Sequence, residues 1–149
     1  MLWRERRNDK YNMNNPKSIT TFIRYQLPVI LWAAVIFVAS SIPNITLPKI
    51  EFIAVDKAVH TGVFYVFALL FYRAINKGKK QATINMKQLY VITGITMLYG
   101  ISDEVHQLFV LNRFCDMYDM IADTLGGVLA SLTVYIAYKY KFNNRNNSA

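Results

Sequence analysis

Apolar residues in this chain gather into four blocks, at roughly 22–42, 58–75, 88–110 and 117–138, separated by short polar segments. Within "LPVILWAAVIFVA" (27–39) and "GVFYVFALLFY" (62–72) no polar face recurs at helical spacing, which argues against the half-wetted helices of a soluble all-α bundle. A hydrocarbon core of about 30 Å takes about 20 helical residues to cross, and only backbone that satisfies its own hydrogen bonds survives there. The pattern therefore predicts an all-α integral membrane protein, a bundle of four transmembrane helices. On length the chain is one domain, with the helices in a membrane domain at 22–138 between basic tails at 1–21 and 139–149.

The third block complicates this picture. Its uninterrupted apolar stretch, Leu89 to Ile101, is too short to cross alone, and the span is completed only if the helix continues to about Gln107. That places Ser102, Asp103, Glu104 and His106 in the outer part of the membrane. Asp103, His106 and Gln107 then share a face, with Glu104 turned about 100° away. The fourth block opens with a second polar series: Asp116, Asp119 and Asp123 fall at spacings of three and four and form one narrow stripe. The stripe continues through Gly126 or Gly127 to Ala130, small residues that let a neighbouring helix approach closely. The second helix begins at "DKAVH" (56–60), with Asp56 placed to cap it and His60 one turn further on. Pro28 sits near the start of the first helix, where a missing amide donor costs little, and Trp32 lies deep enough to pack against a neighbour.

Composition agrees with the pattern: 54% of residues are apolar and the mean hydropathy is +0.19. The net charge of +8 raises the possibility of nucleic acid, but its distribution points to a membrane instead. Fourteen of the 17 Lys and Arg residues lie before the first block, between the second and third, or after the fourth. Seven of the nine acids lie in or beside the other two connections, with Lys49, Lys57 and Arg113. Cytoplasmic loops are enriched in Lys and Arg, so both termini are expected in the cytoplasm and the acidic connections outside a plasma membrane. No cleavable leader is expected, because the first apolar block is longer than a signal core and a basic leader precedes it. The outer loop at 44–56 carries apolar residues suited to the headgroup zone. The lone Cys115 excludes an internal disulfide, and the Asn-rich ends read as solvated tails.

This topology brings His60, Asp103, Glu104, His106, Asp116, Asp119 and Asp123 to one side, with Lys57 and Arg113 as the permanent positive charges nearby. Charges within a membrane face the bundle interior and are costly unless paired. Three readings stay open. The residues can form a salt-bridge and hydrogen-bond network that fixes helix register. They can hold a divalent cation, with Asp103, His106, Asp119 and Asp123 as candidate ligands; an oxygen-rich set suits Mg²⁺, Ca²⁺ or Mn²⁺. Close carboxylates can also raise one another's proton affinity, letting an Asp–His pair exchange protons. Ser40, Ser41 and Ser102 read as structural, since no nucleophile-elbow motif surrounds them.

As an ordered set, "SS" (40–41) closing the first helix, "DKAVH" opening the second, "SDEVHQLFV" (102–110) ending the third, and Arg113, Asp116, Asp119, Asp123 and Gly126 resemble the VanZ-like family across about residues 25–138. Matching positions are Asp56, Lys57 and His60; Ser102, Asp103, Glu104, His106 and Gln107; and that arginine, aspartate and glycine series. Two departures stand out. "VLNR" (110–113) lacks the proline common before the arginine, and Thr61 replaces an aromatic residue often found after the histidine. The resemblance implies a small bacterial multi-pass membrane protein, in a family whose named member is associated with low-level resistance to the glycopeptide teicoplanin.

Together these readings lead to an outward-facing Asp/Glu/His cluster that binds or acts on an envelope component. The expected partner is a membrane lipid, either a phospholipid headgroup or a lipid-linked cell-wall precursor. Asp103, His106, Asp119 and Asp123 are the leading candidates for chemistry, and His60 assists. Arg113, Lys57, Glu104 and Gln107 are candidates for holding the substrate, with Arg113 taking its anionic group. No cofactor is specified beyond a possible divalent cation. A non-enzymatic accessory or scaffold protein and a small proton-coupled transporter are the alternatives.

Overall fold

The structure is a computed structural model that describes residues 16–43, 53–77 and 85–146. Every regular element among them is helical. The first helix, α1, runs without a break through Pro16–Thr21, a π-helical turn Phe22–Gln26, and Leu27–Ser40. The others are α2 (Ile53–Asn76), α3 (Met86–Gln107) and α4 (Met117–Asn146). Of the tails expected at 1–21 and 139–149, residues 1–15 and 147–149 lie outside the described residues, as do most of the outer loop (44–52) and the middle of the basic loop (78–84).

Among the described residues, three helices are long and apolar enough to cross a membrane: Ile19–Ser40, Val55–Asn76 and Met117–Lys141. Helix α3 has 22 residues, about 33 Å at 1.5 Å per residue, but its last turns are polar. It begins on Asn85, whose side chain accepts the amide of Lys87 at 3.1 Å, and ends at Gln107 as the length argument required.

Several boundaries depart from the sequence reading. Pro28 is not in the first turn of α1, since the helix starts twelve residues earlier at Pro16. The wide turn lies just before it, with the amide of Leu27 bonding the carbonyl of Phe22; a π turn is one way a helix absorbs the missing donor and the bulk of a proline ring. Helix α2 starts three residues before Asp56, so Asp56 belongs to its first turn and does not cap it. Helix α4 extends through Lys139 and Lys141 to Asn146, because no Gly or Pro follows Gly127 to stop it.

Hydrophobic contacts hold the helices together on their inner faces. Phe64, Phe67 and Ala74 of α2 pack with Val29 and Ile36 of α1, and Tyr99 of α3 stacks on Phe67 with ring centres 4.9 Å apart. Ala68, Leu89, Ile92 and Ala130 form a second cluster between α2, α3 and α4. The outward faces are equally greasy: Leu31, Val38, Leu98 and Ile136 are all more than half exposed, as befits side chains solvated by lipid. Side-chain hydrogen bonds pin the helices at several levels. Trp32 donates to the carbonyl of Val63 (3.0 Å), confirming that it packs inward, and Tyr99 donates to that of Ala33 (2.7 Å). Thr93 and Ser131 meet at 2.9 Å.

The closest approach is between α2 and α4, and it explains the small-residue stripe. A Cβ on Gly126 would stand 2.5 Å from the Thr61 carbonyl oxygen and 2.8 Å from the Tyr65 amide nitrogen. Only glycine lets these two backbones meet. Thr61 uses the same contact to donate to the Ala122 carbonyl at 3.1 Å.

Candidate functional site

The short connection between α3 and α4 turns at Asn112, which adopts a left-handed conformation (φ 60°) that asparagine tolerates better than most residues. The turn returns the chain so that the end of α3, the start of α4, the start of α2 and the end of α1 surround one polar region. Asp116 is the hinge of this region. One of its carboxylate oxygens accepts the Tyr118 amide (2.8 Å), capping α4, and the other accepts Lys57 (2.8 Å). Its own amide donates to Glu104 Oε2 at 2.8 Å. The Lys57 ammonium holds the Asp116 carboxyl below the usual carboxylate range, and the Tyr118 amide acts in the same sense.

Lys57 is shared among three carboxylates. It bonds Asp116, just before α4, and Asp119 in its first turn and, at 3.2 Å, its neighbour Asp56. The ammonium thus neutralises the upper part of the aspartate stripe and ties α2 to α4.

Below it lies the buried centre. His60 Nδ1 stands 3.0 Å from Asp123 Oδ1. Glu104 and Asp123 are both fully buried. The remaining oxygens of these two carboxylates, Glu104 Oε1 and Asp123 Oδ2, have no hydrogen-bond partner although no solvent reaches them. Such groups are rare in a folded interior and call for an explanation. Ligand atoms of His60, Glu104 and Asp123 lie within 4.8 Å of one another, as do those of Asp56, His60 and Asp119. Space for Asp123 is made by Gly100: a Cβ there would fall 2.7 Å from the Asp123 Cβ and 2.8 Å from Oδ2.

Beside this centre is a cavity of about 190 Å³. Its polar lining is Ser40, Asp56, His60, Asp103, Gln107 and Arg113, and its apolar lining includes Ile36, Val63 and Phe64. Asp103 accepts from Gln107 at 3.3 Å, and both are buried. Arg113 donates to the carbonyls of Ile42 (3.2 Å) and Ala39 (3.5 Å), capping the end of α1 while its side chain borders the cavity.

The expected residues are therefore divided among distinct places. His60, Asp119 and Asp123 converge with Glu104 and Lys57; Asp103, Gln107 and Arg113 line the adjoining cavity. His106 does not share this inward face. Its Nε2 meets Ser41 Oγ at 2.9 Å and its ring lies on Phe37, 4.5 Å between centres, so it joins α3 to α1. The reason is helical phase. The buried stripe of α3 runs Leu89, Ile92, Thr96, Gly100, Asp103, Glu104 and Gln107, and it points between Asp103 and Glu104, leaving His106 to one side. Glu104, expected to be turned away, is at the centre instead. One signal for this was present in the sequence: Gly100 precedes Glu104 by one turn, and a small residue marks the face against which a neighbour packs. Ser40, Ser41 and Ser102 bond to carbonyls within their own helices, as structural serines do.

A helical membrane protein with a buried His/Glu/Asp centre at one end of its bundle is the class that this architecture defines. The chain belongs to the VanZ/LLP1 family, whose sequence model matches residues 3–138. It is also 31% identical over 84 residues to an uncharacterized protein of Schizosaccharomyces pombe, a match covering 56% of this chain and 49% of that protein. The chain thus aligns with about half the length of this curated relative. No solved structure matches the chain.

Proposed function

We propose that this VanZ/LLP1 protein crosses the plasma membrane four times, with both termini in the cytoplasm, and that its polar end binds or acts on the anionic headgroup of an envelope lipid at the outer surface. The observation that carries this reading is the pairing of a buried, incompletely satisfied His60–Glu104–Asp123 centre with a polar cavity bordered by Arg113. A network serving only to hold helices together would satisfy its own oxygens. The basic residues at the other end of the bundle support the orientation. The length of α3 supports a fourth crossing, its acids being turned into the bundle rather than towards lipid.

Arg113 supplies the positive charge for a phosphate or pyrophosphate group, with Gln107 and Asp103 beside it to bond its substituents. A phospholipid and a lipid-linked cell-wall precursor share this chemistry. A change in teicoplanin susceptibility follows if the bound headgroup is that of the precursor which the glycopeptide recognises.

The test compares lipid retained by the purified protein, measured by native mass spectrometry with phosphatidylglycerol against phosphatidylcholine. The wild type should retain the anionic lipid preferentially, and Arg113→Ala should lose the preference. In cells, Asp119→Asn and Asp123→Asn should abolish any effect of expression on teicoplanin susceptibility while helical content and membrane insertion persist. Equal retention of both lipids, or loss of activity only in step with loss of folding, returns the cluster to a scaffolding role.

A further inference from the structure

We propose that His60, Glu104 and Asp123 bind a first-row divalent transition-metal ion such as zinc. This deepens the reading of the polar end as a functional site, and rests on it for the ion's purpose but not for its presence.

Charge and hydrogen bonding single out this triad from the other carboxylates. Asp56, Asp116 and Asp119 already share the Lys57 ammonium. Asp56, His60 and Asp119 also lie close together, but Asp56 is exposed and Lys57 already neutralises that group. Arg113 spends its described hydrogen bonds on the carbonyls of Ala39 and Ile42 at the end of α1 and just beyond it. Among the described residues, the His60 ring is the group able to carry positive charge that lies at both Glu104 and Asp123, and it hydrogen-bonds Asp123 alone of the two. Each keeps one oxygen without a donor in a region closed to water. Two buried carboxylates in that state are strongly unfavourable unless a cation or a proton joins them.

The donor set selects the kind of ion. One imidazole nitrogen and two carboxylate oxygens suit zinc and its first-row neighbours. Calcium takes about six to eight oxygens, and magnesium keeps several waters in a near-octahedral shell; this buried site offers neither. Three protein ligands are also the number found in zinc sites that leave a coordination position open. His60 belongs both to the triad and to the wall of the 190 Å³ cavity, so the open position adjoins the space bordered by Arg113. A phosphate oxygen entering there would complete the shell and meet the guanidinium. Of the ligands expected from the sequence, Asp103, His106, Asp119 and Asp123, this triad keeps Asp123; His60 and Glu104 are brought to it by the packing of α2 and α3.

The full chain, purified in an uncharged detergent without phosphate, is stripped with chelator, equilibrated with zinc chloride, desalted and assayed by elemental mass spectrometry. The wild type should carry about one zinc per chain. Glu104→Gln and Asp123→Asn should weaken binding by more than the roughly 10–100-fold that loss of an outer-shell partner costs. Cys115→Ser should bind as the wild type does. Cobalt loading of the unaltered protein should give the visible bands of a low-coordinate nitrogen–oxygen site, a measurement independent of whether any variant folds. A metal-free wild type would overturn the proposal. Undiminished binding by both carboxylate variants, or a cobalt–thiolate charge-transfer band from Cys115, would do the same. Because no lipid phosphate is present, failure to bind metal is distinguishable from failure to bind a headgroup.

Discussion

Asp116 uses its two carboxylate oxygens for different tasks, capping α4 through Tyr118 and pairing with Lys57 of α2. The second contact makes bundle stability depend on pH. Its folded-state pKa lies below the unfolded one, so its contribution is fully present above the ordinary carboxylate range and is lost as pH falls through the depressed folded value. Asp116→Asn keeps a capping acceptor and removes the titration. Between about pH 7 and about pH 3 the thermal midpoint in detergent should therefore fall further in the wild type than in this variant. Parallel falls would show that the Lys57 pair adds no pH-dependent stability. The stripe that begins at Asp116 was legible in the sequence from its spacing, but the capping role was not: the cap expected there was Asp56, which the longer α2 takes into its first turn. Nor was the contact with Lys57, 59 positions away, because it needs two helices to be laid side by side.

At the level of elements, glycine position decides how the helices meet. Gly126 lies against backbone atoms of α2 that cannot rotate out of the way, whereas a Cβ on Gly94 of α3 would meet nothing within 4 Å. Gly126→Ala should therefore destabilise the protein by about 1–3 kcal/mol through overpacking. Gly94→Ala should be neutral or stabilising by up to about 1 kcal/mol, since alanine is the better helix former. Chemical or thermal unfolding of the two variants checks the contrast, and equal losses would mean that helix propensity outweighs contact. The order of helices, the reach of α3 to Gln107 and the small stripe on α4 were all readable from periodicity. Helix starts were less so: α1 and α2 begin earlier than their apolar blocks, because hydrogen-bonded turns propagate past the last residue that lipid requires.

For the whole molecule, the decisive question is which side of the membrane holds the polar end. Cys115 is the chain's one cysteine and is exposed beside Asp116, so it is a native reporter of that side. A membrane-impermeant maleimide applied to intact cells should label it, and Cys115→Ser should abolish the signal. Labelling only after permeabilisation would place the His60–Glu104–Asp123 centre on the cytoplasmic side and remove outer-envelope headgroups from consideration.

The blocks of apolar residues by themselves determined a helical membrane protein with its acids and histidines gathered at one end, because lipid demands unbroken helices and charge has few places to go between them. They did not determine which of those residues meet. Asp103, Glu104 and His106 fall within about one turn, and which of them faces the centre is set by the rotation of α3 about its axis, about 100° separating one position from the next. That rotation is set by Gly100 yielding to Asp123 and by Tyr99 and His106 engaging α1, contacts between segments distant in the chain. Tertiary packing therefore chose Glu104 for the buried centre and gave His106 to the helix interface.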